Sequence, residues 1–419
     1  MASSRVRRCE VLIAGGGPAG LVLACLLAMD GVDVVVLERR NQPRTHSRAI
    51  GLHPPALAVL NRIGLESFAL TEGTRVHAGT AYSRGRRLGA LSFEEAWPHR
   101  PFVLTLPQNR TEALLSQRLK QLAPGALQSG WELTGFTELP NRQGQAGLPI
   151  HATARSTVAD PYDPDVEMHW QAKILVGADG PHSLVRHTTG IATQARALED
   201  TYIMGDFAQH TNAAPDEHYA TASIFLEPAG VVESFPLPGQ MRRWVAHTGT
   251  QLMPESPRGL TDLIVERTGT AVNPQTSTMI SAFHVRRRLV QQMVLGRCLI
   301  IGDAAHEVSP IGGQGMTLGW LDAIEVAPLL IQVLSDKNPA PLDQLDNFRT
   351  FEQRRRSAAR TVAWQAELNM ALGRPMSLSA TSVQNAVLRT VLSTRMRHRL
   401  AKAFTMRQPL CGAEIHVPG

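Results

Sequence analysis

Gly15, Gly17 and Gly20, followed 18 residues later by the carboxylate Glu38, have the residue types and spacing of a phosphate-binding turn. In the segment CEVLIAGGGPAGLVLACLLAMDGVDVVVLERR, Glu10 to Ala14 reads as a buried parallel strand and the glycines as a tight turn opening a helix. Val32 to Leu37 reads as the next strand, ending at Glu38. Glycine lets backbone come close to a pyrophosphate, and the free amides at a helix start carry partial positive charge that favours it. An acid at this distance accepts the ribose hydroxyls of an adenosine. The unit predicts dinucleotide binding and does not by itself separate FAD from NAD.

Two later stretches extend this chemistry. Residues 174 to 186, ILVGADGPHSLVR, read as an apolar strand running into Asp179, His182, Ser183 and Arg186. Residues 299 to 323, LIIGDAAHEVSPIGGQGMTLGWLDA, read as a strand ending at Asp303, then Pro310, then glycines from Gly312 to Gly315, then a helix starting near Met316. A carboxylate at the end of such a strand sits where ligands bind in open α/β sheets and can accept a hydrogen bond from a hydroxyl. The glycines allow backbone to lie flat against a ring system. The helix start would stabilise the negative charge of a reduced flavin.

Together the three segments resemble the three fingerprints of the FAD-dependent aromatic hydroxylases, the single-component flavoprotein monooxygenases similar to para-hydroxybenzoate hydroxylase. They occur in that family's order, and the likeness runs over roughly residues 8 to 360. The resemblance implies non-covalent FAD held by Gly15, Gly17, Gly20, Glu38, Arg39, Arg48, Gln108, Asp179, Asp303, Gly315 and Met316. In it Arg48 lies near the pyrophosphate and flavin, Gln108 contacts the flavin, Asp303 meets the ribityl chain, and backbone at Gly315 and Met316 meets the pyrimidine edge. Pro310 lines the oxygen-reaction face, and His182 and Arg186 help with NADPH or NADH. Arg39, Arg40 and Arg44 are placed to meet a 2′-phosphate. Thr317 departs from the family, which commonly has Asn there. The implied activity is that of a monooxygenase: NAD(P)H reduces FAD, O2 adds to give a flavin C4a-hydroperoxide, and an oxygen passes to an aromatic or polycyclic small molecule. His306 is expected to be structural rather than a base.

The elements that must carry these residues form an α/β protein. A Rossmann-like FAD-binding domain with a parallel sheet is expected over 1–75, 100–185 and 286–340, and a mostly antiparallel substrate-binding domain over 76–99 and 186–285. A helical region is expected over 341–419. Alternating stretches such as TASIFLEPAGVVESFPLP and RRWVAHTG suggest strands, with Tyr219, Phe225, Phe235 and Trp244 as candidate pocket-lining residues. Near the end, VLRTVLSTRMRHRLAKAF reads as one basic amphipathic helix packed across the two domains.

Composition narrows the alternatives. The formal charge is +6, but 38 of the 42 basic residues are Arg, aromatics make up 5%, and no basic run exceeds three residues, so nucleic acid is not an expected partner. Cys9, Cys25, Cys298 and Cys411 are scattered without metal spacing, which predicts a reduced, cytoplasmic protein with no metal. Val11 to Met29 is uncharged over 19 residues, yet the glycine-proline turn splits it into a strand and a helix, against stable membrane insertion. The expected state is a monomer or homodimer acting on a small aromatic molecule. A flavin halogenase is disfavoured because no Lys precedes Lys120 and no WxWxIP occurs. A flavin-dependent reductase of a lipid or polyene, similar to geranylgeranyl reductases, and a non-catalytic flavin-binding protein are the alternatives.

Overall fold

The computed structural model describes residues 6–43, 49–94, 96–97, 99–139, 148–158, 166–209, 221–336 and 340–407; Arg44, Arg48 and Tyr219 lie outside them. Its first sheet is built on Arg7–Ala14, flanked in parallel by Val34–Glu38 and Glu167–Gly177, with Leu127–Ser129 and Cys298–Ile300 continuing outward in the same sense. Val11, Leu12, Ile13 and Ala14 are all buried, as expected where both sheet faces are covered. One cover is the helix Pro18–Met29, buried from Gly20 to Leu27 and packed between the helices Gln108–Leu122 and Gly315–Leu334. The uncharged run from Val11 to Met29 is therefore a core strand and a core helix joined by the glycine turn. Gly315–Leu334 is long and apolar enough to cross a membrane, but 67% of its apolar window is buried inside the protein.

Because these strands run in parallel, Ala14, Glu38, Gly177 and Ile300 end along one edge, and the loops carrying the three motifs gather there. Glu167–Gly177 also pairs antiparallel with Ile150–Ser156, which pairs with Trp131–Glu138, adding a meander to the sheet.

A second, 8-stranded sheet stands beside that edge. Its order is His306–Glu307, Met279–Val290, Thr193–Ala208, Met241–Gly249, Val232–Leu237, Thr221–Phe225, Ala78–Ser83 and Arg86–Ser92. All neighbours are antiparallel except Thr221–Phe225 with Ala78–Ser83. Met279–Val290 spans the expected boundary at 285, and His306–Glu307 brings the third motif into this sheet.

The helix Asp346–Gly373 ties the two sheets together. Phe348 and Phe351 enter the first core, Ala358 to Ala363 pack on Leu318 and Leu321, and Met370 reaches Tyr202 and Val231 under the second sheet. The basic stretch near the end is two helices rather than one, Leu378–Ser393 and Met396–Phe404. Thr394, the C-cap of the first, is extended at φ −102° and ψ 173°, so the chain turns before restarting, and the second helix packs back on Arg86–Ser92.

Candidate active site

A cavity of about 1070 Å³ runs from the glycine turn, under the loop after Asp303, to the second sheet. That is slightly above the roughly 300–1,000 Å³ of a single small-ligand pocket, enough for an extended cofactor with a second molecule at one end.

At its first end the glycines divide their work. Gly15 has φ +103°, and a methyl group there would collide with the Ala178 carbonyl oxygen; one on Gly20 would strike the Gly15 carbonyl oxygen. Gly17 meets nothing within 4 Å and faces the cavity, so it leaves room for a ligand rather than for protein. Glu38 Oε2 accepts the Gly16 amide at 2.8 Å, and Oε1 accepts from Arg40 N and Nε at 2.9 and 2.7 Å. Burial alone would push this carboxyl up, but Arg40 and the Gly16 amide hold it below the usual range, so it is anionic. Arg40 also reaches Glu112 at 3.3 Å, and Gln108 Nε2 donates to the same Glu112 at 2.7 Å, both at the cavity wall. Arg39 lines the cavity with its side chain largely in solvent.

At the second motif Asp179 Oδ2 accepts the Leu184 and Val185 amides at 2.7 and 3.2 Å, capping the short helix Leu184–Thr188. Its Oδ1 is buried without a hydrogen-bond partner among the described residues, and burial raises the carboxyl. Since Asp179 lines the cavity, that oxygen is available to a ligand hydroxyl. His182 is exposed at the cavity mouth.

In the third motif Asp303, Pro310, Gly312, Gly313, Gly315 and Met316 line the cavity. Gly312 and Gly313 have φ +97° and +67°, a path only glycine follows freely. The helix Gly315–Leu334 begins with no side-chain cap, because Gln314 turns away and donates to the Ala403 and Phe404 carbonyls at 3.3 and 3.0 Å. Its first amides are left for an anion. Thr317 is fully buried with its Oγ1 unpartnered among the described residues. His306 faces inward, Nε2 2.6 Å from Asp322 Oδ2, and takes no part in the cavity wall.

A family model described as an FAD binding domain matches residues 8–366. The chain belongs to the FAD-dependent aromatic hydroxylase family. Relatives within this family include 6-methylpretetramide 4-monooxygenase from Streptomyces rimosus, 34% identical over 78% of this chain and 56% of that protein. Rifampicin monooxygenase from Streptomyces venezuelae is 28% identical over 81% of this chain and 70% of that protein. The chain thus spans little more than half of the first relative. Among solved hydroxylases, p-nitrophenol 4-monooxygenase PnpA from Pseudomonas putida DLL-E4 superposes with TM-score 0.83 at 20% identity, covering 98% of this chain and all of that one. The OxyS anhydrotetracycline hydroxylase from Streptomyces rimosus gives 0.73 at 24% identity, covering 95% of this chain and 76% of that one. At such identities the likeness speaks for the fold.

The residues present suit FAD: an open glycine at Gly17, an orphaned Asp179 oxygen and an uncapped helix start all face one cavity. Two expected pocket-lining positions are corrected. Phe225 and Trp244 lie on the far face of the second sheet, packed with Leu260 and Ile264 of the helix Pro257–Thr268, because side chains alternate along a strand. Their neighbours Ile224 and Val245 line the cavity instead, together with Phe235, which was expected there. Arg186 is also absent from the cavity wall. It donates to the Ala304 and Pro181 carbonyls at 2.8 and 2.7 Å, tying the second motif to the third.

Several cavity residues escaped the sequence reading, among them His53, Phe404 and Glu233. His53 precedes the helix Pro54–Arg62 with its Nε2 3.2 Å from the Gly312 carbonyl, and burial pushes it down to about 4, so it is neutral. Phe404, from the last helix, stacks on Phe93 at 5.4 Å and meets His53 edge-on at 5.7 Å. Glu233 stands in the middle of an apolar sheet face. Only Glu233 left a signal, a lone charge inside the apolar alternation VVESFPLP.

Proposed function

We propose that this chain is an FAD-dependent monooxygenase that uses NADPH or NADH and O2 to hydroxylate, or otherwise oxygenate, an aromatic or polycyclic small molecule. The observation carrying this reading is the single cavity that joins a dinucleotide-binding edge to an apolar sheet face. When bound, FAD supplies the electron transfer from the nicotinamide and the activation of O2.

The protein's part is binding, orientation and exclusion of water. In this reading Gly15, Gly17 and Gly20 shape the pyrophosphate turn, and Glu38 takes the adenosine ribose. Asp179 and Asp303 receive hydroxyls along the cofactor, and the amides at Gly315 and Met316 meet the electron-rich edge of the ring. Gln108 and Pro310 close the wall beside it, and His182 serves the nicotinamide co-substrate, a role supported by its exposed position on the cavity lining. The 8-stranded sheet serves as the substrate-binding unit. Met204, Ile224, Phe235, Val245, Met279 and Phe283 offer a broad apolar surface suited to fused rings, in keeping with the polycyclic names of the relatives.

The test is turnover of purified holoprotein with NADPH or NADH under isotopically labelled O2, across a panel of phenols, naphthols and tetracyclic phenols. One labelled oxygen atom in the product is expected. Reduced, unlabelled product formed equally well without O2 would replace this reading with the reductase. Bound flavin that neither nicotinamide bleaches would leave a non-catalytic flavoprotein.

A further inference from the structure

Strand register places Glu233 at the centre of the cavity-facing side of the second sheet. Val231 and Phe235 share its strand face, Val245 sits opposite on one neighbouring strand and Ile224 on the other, and Met204 lies beyond Val245. All of these are apolar, and Glu233 is only 8% exposed. It makes no hydrogen bond or ion pair with any described residue, and its own burial pushes it up to about 7.

The ionisable groups around it are committed or uncharged. Arg243, two residues along from Val245, is bound bidentately by Asp206 at 2.6 and 2.7 Å. His247, two residues the other way, lies 3.1 Å from Asp200, which also holds Arg374. Tyr202 is buried with its hydroxyl unpartnered, and burial and the Glu233 charge both keep it protonated. Across the cavity stand Asp303 and Glu307, the latter facing Arg288. An unpaired carboxylate in apolar surroundings is costly, and such groups are retained where a ligand completes them.

The geometry points to Glu233 as the group that grips the substrate's acidic hydroxyl, phenolic or enolic, and takes its proton. The inference rests on the oxygenase reading above. In the step, the substrate O–H bond breaks, its hydrogen passes as a proton to a Glu233 carboxylate oxygen, and the electron pair stays on the substrate oxygen. Nothing is oxidised or reduced, and the ring gains electron density that an electrophilic oxygen seeks. A carboxyl near neutrality is suited to this, being ionised before the substrate arrives and basic enough to accept.

The experiment uses holoprotein with 2-naphthol and 2-methoxynaphthalene as probes, binding being read from perturbation of flavin absorbance and turnover from about pH 5 to about pH 9. The wild type should prefer the naphthol over its ether by about tenfold to a hundredfold, and its turnover should fall on the acid side as Glu233 becomes protonated. Glu233→Leu should bind the ether at least as well while losing that preference, and Glu233→Gln should lose the acid limb, both with unchanged FAD content. Full naphthol preference in Glu233→Leu, or an unshifted acid limb in Glu233→Gln, would overturn the proposal. If wild type forms no labelled product from any phenol, the oxygenase reading fails separately, because the binding preference is measured without turnover.

Discussion

The Gly302 amide donates to Asp322 Oδ2 across 2.9 Å, so the turn that presents Asp303 hangs from a buried carboxylate on the helix Gly315–Leu334. Asp322 is itself clamped by Arg355 Nε at 2.7 Å and His306 Nε2 at 2.6 Å, and both Asp322 and Arg355 are almost fully buried. Burial alone would raise the Asp322 carboxyl, but His306 and the Arg355 guanidinium held against it keep it below the usual range.

Asp322→Asn should therefore destabilise the protein by about 3 kcal/mol or more, because it leaves the buried Arg355 with Glu325 as its one charged partner among the described residues. The sign with pH follows from the lowered carboxyl. The wild-type contribution is present above the ordinary Asp range and disappears as pH falls through the folded value. Urea unfolding at neutral pH measures the loss, and a change under about 1 kcal/mol would contradict this account.

Gly17→Ala and Gly15→Ala should separate binding from folding. At Gly17 φ is −75° and a methyl group meets no protein atom, so the variant should fold while its affinity for FAD drops at least tenfold. At Gly15 the methyl group collides with the Ala178 carbonyl, and the protein should lose stability with or without cofactor. Circular dichroism beside FAD titration reads both; equal behaviour of the two variants would show that the glycines do not divide in this way.

Glu233 makes a stability prediction independent of catalysis. Its folded carboxyl, raised to about 7, stays neutral where an unfolded chain has already ionised, so stability falls as pH rises from about 4 to about 7. Ligand-free Glu233→Gln should then be more stable than wild type above about pH 7, by on the order of 2–3 kcal/mol, and equal to it near pH 4. Denaturant midpoints at the two pH values check this. A variant less stable than wild type at alkaline pH would mean that Glu233 has a structural partner.

Phe404→Ala should remove the stacking on Phe93 and the edge contact with His53 while opening the cavity wall. Since Phe404 is only partly buried, a cost of roughly 2 kcal/mol is expected, below the 3–5 typical of a fully buried aromatic. Bulkier phenols should gain turnover relative to small ones. Unchanged size selectivity would place Phe404 outside the substrate's reach.

The glycine turns, the strand before each motif and the α/β class were legible in the sequence because their causes are local. A positive φ favours glycine, a doubly covered parallel strand needs an unbroken apolar run, and parallel strands bring their ends to one edge. Parity along the second sheet was not legible. The helix Pro257–Thr268 covers one face and the cavity the other, so both faces are apolar and the pattern around Phe225 and Trp244 does not say which side chain turns inward. The break at Thr394 was equally hidden, since the residues on both sides of it favour helix. What the sequence determined by itself was the set of turns that can cradle a dinucleotide. Only the tertiary structure decided that Glu233 stands inside the cavity without a partner among the described residues while the Asp206–Arg243 and Asp322–Arg355 charges are paired, because long-range strand register and helix packing choose the partners of a buried charge.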